Sequence, residues 1–110
     1  MLSEIDFRRK CDTALEKLRQ RLLELCDEAN FEVEGGNEKL ELVFEEPEET
    51  RFVISPNAPA RQIWISALST SFKLGWSDTA NDFVLDKTGE ALRQVMSRIL
   101  TQQVGTAVEV

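Results

Sequence analysis

SPNAPARQIWIS, from Ser55 to Ser66, sets two prolines in front of a run in which apolar and polar residues alternate. Each proline fixes its own φ and pushes its predecessor toward extended geometry, so the stretch predicts a rigid, non-helical lead-in and a strand that begins after Pro59. Side chains alternate across a strand, which puts Ile63, Ile65 and Ala67 on one face and Gln62, Trp64 and Ser66 on the other. If the aliphatic face is the buried one, a large indole stands outside the sheet beside an amide, where folding alone gives it little reason to be. That makes it a candidate contact surface. The pattern is equally compatible with a helix or loop covering both faces and the indole lying in the core.

Working outward, period-two patterns recur on both sides of this stretch. Phe31 and Val33 alternate with Glu32 and Glu34, Gly35-Gly36-Asn37 reads as a turn, and Leu40, Leu42 and Phe44 mark a second strand. Arg51 to Ile54 gives a third, with the acidic EEPEE segment as a solvated hairpin loop between them. Ser71 to Trp76 and Phe83 to Leu85 follow the central strand. Helical periodicity frames the run. Ser3 is a plausible N-cap ahead of Glu4 and Asp6, and Phe7, Cys11, Leu15, Leu18, Leu22 and Leu25 recur at spacings of three and four. Near the other end, Asp86 or Thr88 is expected to cap a helix with the stripe Leu92, Val95, Met96, Ile99 and Leu100, stopped at Gly105. The order predicts an α+β fold: a two-layer α-β sandwich in one domain spanning residues 1–110. The N- and C-terminal helices should pack on one face of an antiparallel sheet of five to six strands and leave the other face wet.

The 110 residues carry a net charge of −7, but the imbalance is local. Between Glu24 and Glu49 eleven carboxylates face one base, Lys39, so that segment is at −10 and the remainder sums to +3. A field of one sign that dense argues against nucleic-acid backbones and anionic membranes, and for cations or a basic partner protein. Glu24, Asp27 and Glu28 also fall at the end of the first helix, where they add to its partial negative charge at a few tenths of a kcal/mol each. A sequence selected for folding alone would place bases there. No apolar run approaches a membrane span, and MLSEIDFRRK lacks the apolar core of a secretory signal, so a cytoplasmic protein is expected. Cys11 and Cys26, if on one helix, lie roughly 22 Å apart along its axis. They are then free thiols in a reducing compartment.

There is no histidine and no tyrosine, which removes the usual general base and the commonest transition-metal ligand. The cysteines have no CxxC spacing, and Gly35-Gly36 is followed by a strand rather than the helix of a phosphate loop. What remains is the chemistry of carboxylates. Oxygen-only ligands suit hard cations, and an open surface binds them weakly and exchanges them readily. The same charge run, taken alone, also fits a merely solubilising surface.

The opening helix from Phe7, the PNAPARQIWIS stretch, the SFKLGW strand and the FVLDKTGEALRQVM entry to the last helix together resemble the frataxin family, in particular bacterial homologues of the CyaY type. The most specific match is Pro59 followed by Gln62, Ile63, Trp64, Ile65 and Ser66. The resemblance implies weak, reversible binding of iron, as Fe2+ or Fe3+, through an acidic ridge. It also implies docking onto the cysteine desulfurase and scaffold protein of iron–sulfur cluster assembly by a monomer. Carried onto this sequence, the metal residues are Glu16, Glu24, Asp27, Glu28, Glu32 and Glu34, and the partner-binding residues are Asn57, Gln62 and Trp64. The chain departs from the family at Ser55-Pro56-Asn57, at Ser69-Thr70-Ser71, and at Arg19, Gln20, Arg21 and Leu23, which interrupt the acids of the first helix. An acidic protein-binding module of the secretion-chaperone kind, dimeric and without a metal role, is the alternative. An enzymatic role such as ferroxidase ranks last.

Overall fold

The computed structural model describes residues 2–46 and 48–110. Helix α1 spans Glu4–Leu25, and Ser3 caps it as expected, its Oγ accepting the Asp6 N–H at 3.1 Å. Phe7, Cys11, Leu15, Leu18 and Leu22 form its buried stripe. The helix ends sooner than the acid spacing implied. Cys26 is its C-cap, Asn30 takes a left-handed φ of 58°, and Asp27 and Glu28 lie in the turn between.

Six strands follow in an antiparallel meander ordered β1-β2-β3-β4-β5-β6, so every neighbour in sequence is a neighbour in the sheet. They are β1 Glu32–Gly36, β2 Lys39–Phe44, β3 Thr50–Asn57, β4 Gln62–Ala67, β5 Thr70–Ser77 and β6 Asp82–Leu85. Helix α2, Leu92–Val104, closes the fold. Leu40, Leu42 and Phe44 from β2, Phe52 and Ile54 from β3, Ile63 and Ile65 from β4 and Leu74 from β5 all point to the side the helices cover. Period-two alternation is therefore kept strand by strand, and the opposite face is wet.

The stripe of α1 crosses this sheet from edge to edge. Phe7 at its start meets Phe83 of β6 edge-on, with ring centroids 6.0 Å apart, while its last turns pack over β1. The direction matters for the site: it delivers the acidic C-terminal end of α1 to the β1 edge. Phe31, Phe44 and Phe52 fill the core beneath that end, with centroid separations of 5.5 and 4.8 Å.

Three local features differ from the sequence reading. Ser55, Pro56 and Asn57 do not form a lead-in but complete β3, with Pro56 paired to Ile63. The sheet tolerates this proline because the β2–β3 ladder stops at Leu40↔Ile54, so beyond Ile54 strand β3 has a partner on one side only and no N–H is missed on the other. The first hairpin turns on Asn37 and Glu38, since Gly36 still pairs with Lys39. Gly35 is needed one step earlier: its φ is +82°, and a Cβ there would lie 2.0 Å from the Lys39 carbonyl oxygen. Neither Asp86 nor Thr88 caps α2. Ala91 does, held extended by a bridge to Val84, and its N–H donates to Gln94 Oε1 at 2.8 Å. The acidic segment between β2 and β3 is a connection as expected, although Pro47 within it lies outside the described residues.

Gly105 ends α2 in a left-handed conformation at φ 87°. The chain then doubles back between the helices: Val108 is buried, its N–H donates to Thr101 Oγ1 at 3.0 Å, and Arg21 of α1 donates to the Glu109 carbonyl at 2.8 Å. Charged side chains support the entry to α2 as well. Arg98 donates through Nε and Nη2 to the two carboxylate oxygens of Glu90, each at 2.9 Å, and this fork lowers the Glu90 pKa.

The β4–β5 hairpin closes on Leu68 and Ser69, both at left-handed φ, 54° and 58°. Two-residue hairpins favour that geometry, but non-glycine residues are strained in it. Ser69→Gly is accordingly expected to stabilise the fold by about 1 kcal/mol, read as a higher urea midpoint at unchanged slope. A destabilised variant would contradict the account of this turn.

Candidate functional site

The wet face of the sheet and the end of α1 hold the sequence-derived site residues. In the sheet, register fixes who stands beside whom. Glu34 pairs with Glu41, Glu41 with Val53, and Val53 with Ser66, so one row runs from the β1 edge to β4. At 4.7–4.9 Å per strand this row is roughly 14 Å long. Trp64 lies two residues from Ser66 on the same face, between Ser55 and Lys73. The acids of β1 and the indole of β4 thus share one continuous surface.

Trp64 is 37% exposed, on the outside of the sheet and not in the core. Its Nε1–H donates to Gln62 Oε1 at 2.9 Å, and Lys73 Nζ stands 4.9 Å from its ring centroid. Both contacts hold the ring in place without covering it. Gln62 faces Gly75 across the strand pair, so no side chain crowds it from that side. Asn57 pairs with Gln62 in register, but its Oδ1 accepts the Ala60 N–H at 2.9 Å. Half of the Asn57 amide is therefore occupied in shaping the β3–β4 turn, and only its NH2 is left for a partner.

The six acids do not converge on one point. Glu16 lies 3.9 Å from Arg19 and accepts from Gln20, Glu24 is paired with Arg21 at 3.0 Å, and Glu34 is paired with Arg51 at 3.2 Å. Arg51 also reaches Glu41 at 3.6 Å. Exposed pairs of this kind add little stability, but each occupies a carboxylate. Asp27, Glu28 and Glu32 have no ion-pair partner among the described residues, and they divide between two recesses. Asp27 and Glu32 line one of about 230 Å³ with Cys26, Asn30 and Glu45. Glu28 lines another, beside Arg21 and the C-terminal tail. Glu45, expected in a solvated loop, lines the first recess. The signal was the register, because Glu32 pairs with Val43 and the chain leaving β2 must pass Asn30. Among the described residues no three histidine, cysteine, aspartate or glutamate side chains form a group able to hold a metal ion.

With this geometry established, comparison with known proteins identifies the fold's relatives. The profile of the frataxin-like domain matches residues 1–106. The chain belongs to the frataxin family. Similar proteins include the iron-sulfur cluster assembly protein CyaY of Pseudomonas fluorescens, 29% identical over 105 residues, which cover 96% of this chain and 92% of that one. The protein of the same name from Ralstonia nicotianae is 24% identical over 102 residues, 93% of this chain and 88% of its own. The solved structure of frataxin from Psychromonas ingrahamii has a TM-score of 0.74 over 98% of this chain and 97% of that one, at 18% identity.

The departures from the frataxin pattern noted in the sequence now have physical content. Arg19 and Arg21 interrupt the acids of α1 and also neutralise two of them, Glu16 and Glu24. Of the six acids, the three without an ion-pair partner among the described residues, Asp27, Glu28 and Glu32, therefore lie in the α1–β1 turn and on β1 and not on the helix. The cysteines divide as well. Cys11 lies in the core, where burial first and the neighbouring Asp12 second push its thiol up to about 12. Cys26 is half-buried and donates to the Leu23 carbonyl at 3.2 Å. Iodoacetamide at pH 8 should therefore alkylate Cys26 in the folded protein and reach Cys11 only after denaturation, as mass spectrometry will show. Equal labelling of both in native protein would contradict the packing of α1. No described helix is long and apolar enough to cross a membrane.

Proposed function

We propose that this protein is a binding protein of iron–sulfur cluster assembly, not an enzyme. It docks through the wet face of its sheet and the α1–β1 shoulder onto the cysteine desulfurase and scaffold, and carries iron loosely as cargo. The observation that carries this reading is the placement of Trp64 on the same open face as the acids of β1, in a chain of the frataxin family. An exposed, pre-oriented aromatic flanked by hydrogen-bonding side chains has the character of an interface anchor. The adjoining acids complement a basic groove and speed encounter with it. Gln62 and Trp64 supply the contact, with the Asn57 NH2 beside them.

The iron reading follows from the donors. Carboxylate oxygens suit Fe2+ and Fe3+ as hard ions, but acids that do not converge can supply only one or two ligands each, with water completing the shell. Such iron is held weakly and released easily, as cargo should be. Asp27, Glu28 and Glu32, free of arginine partners, are the principal ligands, and Glu16, Glu24 and Glu34 contribute only when their ion pairs open. Anaerobic titration with Fe2+ should broaden the amide signals of residues 26–34 at metal concentrations that leave Glu16 unaffected. Adding the protein to a desulfurase–scaffold mixture should change the rate of cluster formation. Broadening spread evenly over all acidic residues would refute the ligand assignment alone. An unchanged rate, with no association with the desulfurase, would refute the function itself.

A further inference from the structure

On the side of the molecule away from the docking surface, α1 and the start of α2 enclose a cleft of about 480 Å³ lined by Arg9, Lys10, Lys17, Arg93, Asp82 and Trp76. Its charge is opposite to that of the chain as a whole, with four cations against one carboxylate in a protein of net charge −7. That carboxylate accepts the Phe83 N–H through Oδ1 at 2.7 Å and offsets one of the four positive charges.

The four cations differ from their neighbours. On the same helix Arg8, Arg19 and Arg21 are each paired with a glutamate three or four residues away. Among the described residues Arg9, Lys10 and Lys17 are in no ion pair, and Arg93 has no carboxylate side chain beside it, its Nε donating to the Val110 oxygen at 3.2 Å. Of the thirteen lysines and arginines, six are ion-paired among the described residues, and four of the other seven line this cleft. The segment of α1 that lines it, from Arg9 to Leu18, puts Thr13 and Ala14 between the bases where an acid would relieve them. Gathering four cations around a single carboxylate costs free energy through like-charge repulsion.

A second feature has the same sign. Leu92 and Arg93, the first residues of α2, belong to the cleft, so the positive end of a helix of 13 residues opens on it. Its N-cap is Ala91, which has no side-chain acceptor, and no acid stands in its first turn. The N–H groups there lack the capping oxygen that most helices provide. Arg93, whose Nε is bonded to the Val110 oxygen, adds a further cation at that end. Trp76 forms an apolar wall, its ring 4.2 Å from Lys10 Nζ and its Nε1–H bonded to Asp78 at 2.9 Å.

We propose that this cleft is a binding site for a small phosphate-bearing polyanion, seated between Arg9, Lys10 and Lys17 on one side and Arg93 with the start of α2 on the other. The volume suits a small molecule, and the arrangement of forked guanidinium groups, point-charge ammonium groups and a helix N-terminus is the one that phosphate oxygens use. None of these residues belongs to the surface assigned to the assembly machinery, so the inference stands apart from the function proposed above.

The test is an amide and indole N–H titration of the intact protein, at constant ionic strength, with inorganic tripolyphosphate and separately with ATP. Saturable shifts at residues 9–18, at the Trp76 indole and at 92–93 are expected, with Lys73 and Lys87 unmoved. Lys17→Ser with Arg93→Gln, two exposed positions, should weaken binding at least about tenfold while leaving the remaining spectrum folded. Equal affinity for the two compounds would assign recognition to the phosphates alone, and tighter ATP binding would add the nucleoside as a contact to the Trp76 wall. Linear, unsaturable shifts spread over all cations would overturn the proposal. So would binding unchanged in the double variant, or saturable binding of an acidic peptide but of neither phosphate compound.

Discussion

Phe52→Ala is expected to lower the unfolding free energy by about 3–5 kcal/mol, a loss of the largest class for a single truncation. Phe52 is fully buried on β3, in register with Leu42, and its ring lies 4.8 Å from that of Phe44, which in turn lies 5.5 Å from Phe31. Removing the central strand's ring leaves a void between β2, the α1–β1 turn and the helix above, with few mobile side chains able to collapse into it. For a domain whose total stability is about 5–15 kcal/mol, that is about a fifth or more of the whole. Urea unfolding followed by far-UV circular dichroism measures it. A loss below about 1 kcal/mol would mean that the aromatic cluster does not hold the β1 edge as described.

Trp64→Ala should do the opposite, leaving stability almost intact and weakening association with the desulfurase–scaffold complex by roughly 30-fold or more, the scale of an interface hot spot. The asymmetry follows from its position. The indole is more than a third exposed and contributes nothing to the helix-covered core, so its truncation opens no cavity. Its hydrogen bond to Gln62 and its contact with Lys73 are surface interactions worth about 0.5–1 kcal/mol each. Trp64→Phe keeps the ring and loses the N–H, and an intermediate loss is expected. Calorimetric titration with the intact partner and a thermal melt of each variant separate the two effects. If Trp64→Ala binds as well as the wild type, the open face is not the contact surface.

The fold was legible because its decisive patterns are periodic. Ile63 and Ile65 alternating with Trp64, the Leu40-Leu42-Phe44 run and the stripes of both helices each allow one orientation against a common core, and those orientations agree. Misplaced features depended on neighbours that a sequence does not display. Pro56 belongs to a strand only because β2 ends before reaching it, and Ala91 caps α2 only because Val84 holds it extended. The course of the last residues rests on Thr101 and Arg21, far apart in sequence.

The candidate site was legible by residue type and less so by arrangement. Alternation put Trp64 and Gln62 on one face, and that this face is the open one follows from both helices covering the other. Which acids are free did not, since Arg51 neutralises Glu34 across two strands and Glu45 joins Asp27 and Glu32 through register. The basic cleft was hidden for the same reason. Its bases are dispersed over α1 and α2, and the composition of the chain reports only their sum.

Backbone hydrogen exchange of the intact protein, free and bound to the cysteine desulfurase and scaffold, tests the docking claim most directly. Slowed exchange confined to 32–41 and 62–66, with the outer face of α2 unchanged, is the predicted result. Protection across the outward faces of α1 and α2, with β4 exchanging as in the free protein, would contradict it.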